Sequence, residues 1–173
     1  MNKIVALSLL IILAGASAAH AQTEGYRILF ADSTTVSVDD QRTIFDLLGY
    51  TVSADGTALE AMDCGPIYVS RVEETDLNGD AVVEVFVLAG NSCTSGMDGS
   101  SVSLFIKDAE GRYGSHLGFP AGGWTELETS NAGFPDLAIG GPGFCEAVYR
   151  WDGTTYQHDH NQPTEPGGCD GIG

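Results

Sequence analysis

Oxygen-bearing residues recur at regular spacing between residues 76 and 84. If Asp76 is position 1, Asn78 is position 3, Asp80 is position 5 and Glu84 is position 9, while Val82 supplies a backbone carbonyl at position 7. Carboxylate, amide and carbonyl oxygens spaced in this way around a tight loop are the ligands that Ca²⁺ prefers in proteins. The spacing therefore predicts a Ca²⁺ site, with the dissociation constant of about 10⁻⁴–10⁻³ M that extracellular modules show.

The same residues also fit a turn that holds no ion. Position 6 is Ala81, where a Ca²⁺ loop usually has glycine for its sharp turn, and position 12 is Val87, which excludes a helix–loop–helix EF-hand. Asp, Asn and Gly are ordinary residues of β-turns. An Asx-rich turn without an ion is therefore the alternative to a Ca²⁺ loop.

The sequence carries no motif of a common catalytic centre. It has no G-x-S-x-G nucleophile elbow, no H-E-x-x-H zinc motif and no phosphate-binding glycine loop followed by lysine. We therefore expect a binding or structural role and no enzymatic activity.

Residues 1–21 have the pattern of a secretory signal peptide. One basic residue, Lys3, precedes an apolar run that ends at Ala14, and small residues follow up to Ala21. The run of about 11 residues is well short of the roughly 20 that a membrane-spanning helix needs. We expect cleavage after Ala21, or alternatively after Ala19, and a periplasmic or extracellular protein.

Export to an oxidising compartment predicts disulfide bonds among Cys64, Cys93, Cys145 and Cys169. No two of these cysteines have the C-x₂₋₄-C spacing of a zinc site. Four cysteines allow three pairings, which spacing alone does not distinguish.

The elements that must position these residues follow from the apolar pattern. The run from Tyr26 to Ala31 predicts a strand. Ser37 or Asp39 is placed to cap a helix that Gly49 would end. Beyond residue 50, short apolar segments alternate with Gly, Asp and Asn, which is typical of antiparallel hairpins.

We therefore predict one α+β domain over residues 22–162, built mainly from antiparallel β hairpins with one N-terminal helix and stapled by disulfides. A Pro/Gly-rich tail follows over residues 163–173.

A weak internal repeat relates the two halves of the predicted sheet system. Residues 84–93 and 136–145 each begin with an acid, continue as an apolar strand and a glycine turn, and end with a cysteine nine residues after the acid. If equivalent cysteines of neighbouring units face one another, Cys93 pairs with Cys145 and Cys64 pairs with Cys169.

The two repeats resemble FG-GAP and VCBS repeats, which form extracellular β-propellers. Residues 76–87 resemble their D-x-N-x-D-G-x-x-D/E loop and strand, and residues 133–142 resemble their D-L-x-I-G-x-P strand and turn. Much of residues 40–169 is also similar to a group of small exported bacterial proteins of unknown function. A propeller needs about four to eight blades, so the resemblance implies blade-like units and not a complete propeller.

The charge balance limits the partners. The chain has 24 acidic and 7 basic residues, and loss of Lys3 with the signal peptide leaves 24 − 6 = 18 excess acids. Such a chain repels nucleic acid and anionic lipid, so we expect neither a nucleic-acid partner nor membrane binding after signal cleavage. It attracts divalent cations and basic proteins. The alternative function is therefore an acidic periplasmic inhibitor of a basic secreted hydrolase such as lysozyme, acting through the loop over residues 91–100. The oligomeric state is left open.

Overall fold

The structure is a computed structural model that describes residues 24–33, 35–141 and 143–171. The predicted signal peptide over residues 1–21 lies outside the described residues. None of the helices in the described part is long and apolar enough to cross a membrane.

The described part of the chain has few helices and many strands. The helical segments are α1 over residues 24–29, α2 Val38–Leu48, α3 Ser92–Ser95 and a 3₁₀ turn Gly96–Asp98. The strands are β1 Thr51–Val52, β2 Leu59–Ala61, β3 Gly65–Pro66, β4 Tyr68–Thr75, β5 Glu84–Gly90, β6 Ser101–Lys107, β7 Tyr113–Pro120, β8 Gly123–Asn131, β9 Phe134–Gly140, β10 Cys145–Trp151 and β11 Tyr156–Pro163.

These strands form three antiparallel sheets. A small sheet has the order β1-β2-β3, the first large sheet β4-β5-β6-β7, and the second large sheet β8-β9-β10-β11. Each strand pairs with its neighbour in sequence, so each large sheet is a four-stranded meander. The described residues form no closed barrel and no complete propeller. At this level the prediction of a mainly antiparallel fold with disulfides is confirmed.

The first large sheet lies between the helices and the second large sheet. Its central strand β5 is buried along its whole length. Val85 and Val87 pack with Ile44 of α2 in one apolar cluster, whereas the alternate residue Phe86 packs with Leu137 of the second sheet in another. Because successive residues of a strand point to opposite faces, one strand contributes to both cores.

The segment that includes Tyr26 is a helix, so the prediction of a strand over residues 26–31 is wrong. Tyr26, Leu29 and Phe30 are buried together, and their spacing of three and four residues is that of one helical face. A short apolar run does not distinguish a buried strand from a buried helix. Gly25 allows α1 to approach the core closely, because a Cβ atom there would lie only 2.3 Å from Cζ of Phe45.

Helix α2 is capped at both ends by its own sequence. Ser37 is the N-cap, and its hydroxyl oxygen accepts a hydrogen bond from the Asp40 amide. Gly49 ends the helix in the left-handed conformation, with φ of 70°. The helix carries Ile44 and Phe45 into the core beside the first large sheet.

The disulfides are Cys64–Cys93 and Cys145–Cys169. The predicted pairing of Cys93 with Cys145 and of Cys64 with Cys169 is therefore wrong. Antiparallel pairing explains the observed bonds, because it brings the start of one strand beside the end of the next. Cys64 precedes β4 and Cys93 follows β5, which are paired from Tyr68 to Gly90.

Antiparallel strand pairing also explains the second disulfide, which lies in the second large sheet. Cys145 begins β10 opposite Pro163, the last residue of β11, and the chain beyond β11 turns back so that Cys169 reaches it. The Thr164 amide also donates to the Phe144 carbonyl at 2.8 Å. Both disulfides consequently lie at one end of the two large sheets, which we call the disulfide end.

Candidate functional site

The predicted Ca²⁺ loop connects β4 to β5 at the end of the first sheet opposite the disulfide end. The last residue pair of these strands is Thr75 with Glu84. Between them, residues 76–83 make a tight excursion that is largely exposed, except for the buried Leu77.

Asp76 organises the turn by accepting hydrogen bonds from the backbone. Its Oδ1 accepts from the amides of Gly79 at 2.8 Å and Asp80 at 3.1 Å, and its Oδ2 accepts from Ala81 at 2.9 Å. Gly79 and Ala81 have φ of 75° and 67°. Position 6 of the loop thus adopts the left-handed conformation that favours glycine, although the residue is alanine.

Asn78 and Asp80 close the loop against each other. The Asp80 amide donates to Oδ1 of Asn78 at 3.0 Å, and Nδ2 of Asn78 donates to Oδ2 of Asp80 at 3.0 Å. Oδ1 of Asp80 accepts from the amide of Val82 at 2.8 Å. These are the contacts of successive Asx turns.

The loop carboxylates do not converge on one point. In residues 24–33, 35–141 and 143–171, no group of three or more His, Cys, Asp or Glu side chains is arranged to hold a metal ion. The carboxylates of Asp76, Asp80 and Glu84 instead accept hydrogen bonds from backbone amides of the loop. Val82, whose carbonyl was the predicted fifth ligand, lies in the exposed part of the loop.

Glu84 differs from the other loop acids because it is buried, with an exposed fraction of 1%. Its Oε2 accepts a hydrogen bond from the amide of Leu77 at 2.7 Å. Burial raises the pKa of Glu84 to about 7, and the negative charges of Asp80 and Asp76 act in the same direction. The spacing in the sequence places Glu84 among the predicted ligands but does not reveal that it is buried.

No lysine or arginine side chain in the described part of the chain forms an ion pair with this cluster, because each one pairs with another acid. The ion pairs are Arg27–Glu24, Arg42–Asp39, Arg71–Glu73, Lys107–Asp40, Arg112–Asp108 and Arg150–Asp136. Glu84, Asp76 and Asp80 occur in none of these pairs. The loop therefore concentrates negative charge that the protein itself does not balance.

The equivalent acid in the second large sheet has a basic partner. Asp136, which begins the same repeat motif as Glu84, has an exposed fraction of 0%. Arg150 donates to both of its carboxylate oxygens, from Nε at 3.0 Å and from Nη2 at 2.7 Å, and Thr129 donates at 2.6 Å. The hydrogen bond from Arg150 is the main reason that the pKa of Asp136 is lowered.

Strand register identifies the residue that replaces this arginine in the first sheet. Val85 pairs with Phe105, and Leu137 pairs with Tyr149 in the same way. One residue further along, Ile106 occupies in the first sheet the position that Arg150 occupies in the second. The buried Glu84 thus faces an apolar position where its counterpart has a cation.

Sequence reasoning missed the role of Arg150 and its replacement by Ile106. The repeat identified Asp136 as the equivalent of Glu84, but the loops that follow the two strands differ in length. The strand that follows each copy of the repeat can be recognised in the sequence, but the residue opposite each acid can be identified only when the register of the strands is known.

Comparison of the chain with protein-family models, with curated proteins and with solved structures gives no match in any of the three.

Proposed function

We propose that this protein is an exported, non-enzymatic binding or structural module whose loop over residues 76–84 is stabilised by Ca²⁺. The observation that carries the proposal is the buried Glu84, which lies beside Asp76 and Asp80 and has no basic partner in the described residues. Burying an ionised carboxylate without a counter-charge is costly. A divalent cation from the medium supplies the charge that Arg150 supplies to Asp136.

The residues that would hold the ion are Asp76, Asn78, Asp80 and Glu84, through side-chain oxygens, and Val82 through its carbonyl. This all-oxygen donor set suits a hard cation. Asp80 is exposed, so its side chain has room to turn from its backbone partner toward an ion. The fixed left-handed conformation at Ala81 supports the tight loop path that such a site requires.

Export is supported by the predicted signal peptide together with two disulfide bonds. The resemblance to FG-GAP and VCBS repeats is supported by two features, the loop motif itself and the four-stranded meander of each large sheet. Four antiparallel strands are also the content of one propeller blade. We therefore regard the large sheets as two blade-like units.

A non-enzymatic role is supported by the sequence, which has no common catalytic motif. Of the two buried acids in the described residues, Asp136 pairs with Arg150 and Glu84 belongs to the loop over residues 76–84. An ion that stabilises a loop fits a module that binds or supports other molecules.

The test is thermal unfolding of the mature protein in 5 mM Ca²⁺ and in chelator. With a dissociation constant of about 10⁻⁴–10⁻³ M, Ca²⁺ would add about 1–2 kcal/mol to the free energy of unfolding. The melting temperature would then rise by about 3–8 °C. Asp80→Ala should remove the shift, whereas Asp46→Ala, which alters an exposed acid on α2, should preserve it. An unchanged melting temperature for the wild-type protein would refute the Ca²⁺ proposal.

Inhibition of a basic secreted hydrolase such as lysozyme is a second candidate function. It is favoured by the commitment of all six described basic residues to internal ion pairs, which leaves the acidic excess to the surface. The test is lysozyme activity with micromolar amounts of the protein at low salt. Full activity under these conditions would eliminate this candidate.

A further inference from the structure

An apolar groove of about 480 Å³ opens at the disulfide end, between the two large sheets. Phe119 of β7 and Tyr149 of β10 stack across it with ring centroids 5.0 Å apart. Ile139 and Ala147 of the second sheet line it as well, and Met97 of the 3₁₀ turn forms part of its rim. The groove lies at the opposite end of the sheets from the Ca²⁺ loop. Its rim belongs to the loop over residues 91–100, so this inference rests on the second candidate function, a basic partner, and is independent of the Ca²⁺ proposal.

One carboxylate, that of Asp98, lines the groove. A second depression of about 450 Å³ adjoins the groove and shares Asp98, Gly140 and Gly141 with it. Glu146 lines only this second depression, because it points to the face of β10 opposite Ala147 and Tyr149. A Cβ atom on Gly141 would lie 2.6 Å from Oδ1 of Asp98, and one on Gly140 would lie 2.9 Å from Oε1 of Glu146. Two consecutive glycines thus leave the space that the carboxylates occupy.

The negative charge beside the groove indicates which kind of group it can bind. No Lys, Arg or His is found among the described residues that line the groove. Asp98 forms no ion pair within the described part of the chain, where every basic residue is paired elsewhere. A second copy of this chain would bring the same large negative charge and be repelled. A positively charged group on a different molecule is the complementary occupant.

The rim of the groove is held in place. The Cys64–Cys93 disulfide anchors α3, and Nδ2 of Asn91 donates to the carbonyls of Cys64 at 3.0 Å and Pro66 at 2.8 Å. Met97 nevertheless has an exposed fraction of 93%. A stabilised loop that presents a fully exposed methionine beside an apolar groove loses little conformational entropy when a partner covers it.

We propose that this groove binds an arginine or lysine side chain of a basic partner protein. The apolar stem of such a side chain packs along Met97, Phe119 and Tyr149, and its charged head pairs with Asp98. Long basic side chains combine an apolar stem with a cationic tip in this way, and a carboxylate is the preferred partner of the tip.

The test is fluorescence anisotropy with a labelled Gly/Ser decapeptide that carries one arginine between two leucines. A matched peptide carries citrulline, a neutral analogue, in place of the arginine. The protein variants are Met97→Ala and Asp98→Asn, with Met62→Ala and Asp46→Asn as controls. Met62 is also highly exposed, at 82%, and lies outside the groove, so it controls for the loss of an exposed methionine.

We expect the arginine peptide to bind the wild-type protein and both controls equally. Met97→Ala and Asp98→Asn should each weaken the affinity by about five-fold, and the citrulline peptide should bind as weakly. Binding that Asp98→Asn and Asp46→Asn reduce equally would assign the effect to general charge and overturn the proposal. Equal binding of both peptides, or no binding at millimolar peptide, would also overturn it.

The variants separate this inference from the Ca²⁺ proposal. Met97 and Asp98 lie at the disulfide end, and residues 76–84 lie at the opposite end of the sheets. The Met97→Ala and Asp98→Asn proteins should therefore still show the rise in melting temperature with Ca²⁺. That shift also reports whether each variant is folded. A protein that responds to Ca²⁺ but does not bind the peptide would contradict the groove alone.

Discussion

At the scale of single residues, Glu84 and Asp136 show two ways of burying a carboxylate at the same position of a repeat. Asp136 has Arg150 as a bidentate partner and Thr129 as a further donor. Glu84 has one backbone amide, and Ile106 stands where the arginine would be. Because a buried carboxylate needs compensation, the two sites should respond differently to changes in charge and pH.

The Asp136 site predicts a specific pH dependence. Its pKa is lowered below the ordinary 3.8, so the ionised form stabilises the fold above pH 3.8, and this contribution is lost as pH falls through the folded-state pKa. At pH 6, Asp136→Asn should lower the melting temperature by about 3–6 °C.

The difference between Asp136→Asn and the wild-type protein should shrink toward zero as the pH is lowered to 2, because protonated aspartic acid then resembles asparagine. Melting curves from pH 2 to pH 6 measure this difference, with Asp46→Asn as the control. A difference that stays constant over this range would show that the charge of Asp136 contributes nothing to stability.

At the scale of elements, the packing of α1 depends on one glycine. A methyl group on Gly25 would lie 2.3 Å from Cζ of Phe45 and 2.8 Å from Cγ2 of Val52. Gly25→Ala should therefore reduce the free energy of unfolding by about 1–3 kcal/mol, the usual cost of overpacking. Urea denaturation measures the change.

Gly118→Ala is the matched control for Gly25→Ala. Its new methyl group would meet only Oγ of Ser103, at 4.0 Å, so the free energy of unfolding should change little. Equal effects of the two substitutions would contradict the close packing of α1 against Phe45.

Elements whose signal is local could be predicted from the sequence. The cap residue Ser37 and the terminator Gly49 flank α2 as the helix rules require, and the apolar segments beyond residue 50 form antiparallel strands. The segment around Tyr26 could not be assigned correctly, because its short apolar run suits either a strand or a helix. Only its contacts with Ile44 and Phe45 decide the outcome.

The disulfides show why the internal repeat led to a wrong prediction of the cysteine pairing. Equivalent cysteines in two units need not face each other, since each unit forms its own hairpins. Cys64 and Cys93 flank two paired strands, and Cys145 and Cys169 flank two others. Hairpin geometry applied to the predicted strands favours these pairings, with sequence separations of 29 and 24 residues.

The candidate site was only partly accessible to sequence reasoning. The spacing of Asp76, Asn78 and Asp80 identified the loop, because Asx residues act on their immediate neighbours. The burial of Glu84 depends on the second sheet packing over β5, and the replacement of arginine by Ile106 depends on strand register. Both arise from long-range contacts that spacing does not encode.

At the scale of the whole molecule, charge and rigidity are distributed between two ends. One end carries both disulfides and the apolar groove with Asp98, and the other carries the acidic loop. All six lysine and arginine residues of the described chain form internal ion pairs. A cation that balances the acidic loop or Asp98 therefore has to come from another molecule or from the medium. This arrangement suits a module with a small ion at one end and a basic partner at the other.

The most direct measurement of the central claim compares the wild-type protein with Glu84→Gln by thermal unfolding at pH 8, in chelator and in 5 mM Ca²⁺. Glutamine keeps the shape of the side chain and removes its charge. In chelator, Glu84→Gln should melt at a higher temperature than the wild-type protein, because it buries no uncompensated charge. Ca²⁺ should raise the melting temperature of the wild-type protein only. If Ca²⁺ leaves the wild-type protein unchanged, or raises both proteins equally, Glu84 is not the residue that an external cation neutralises.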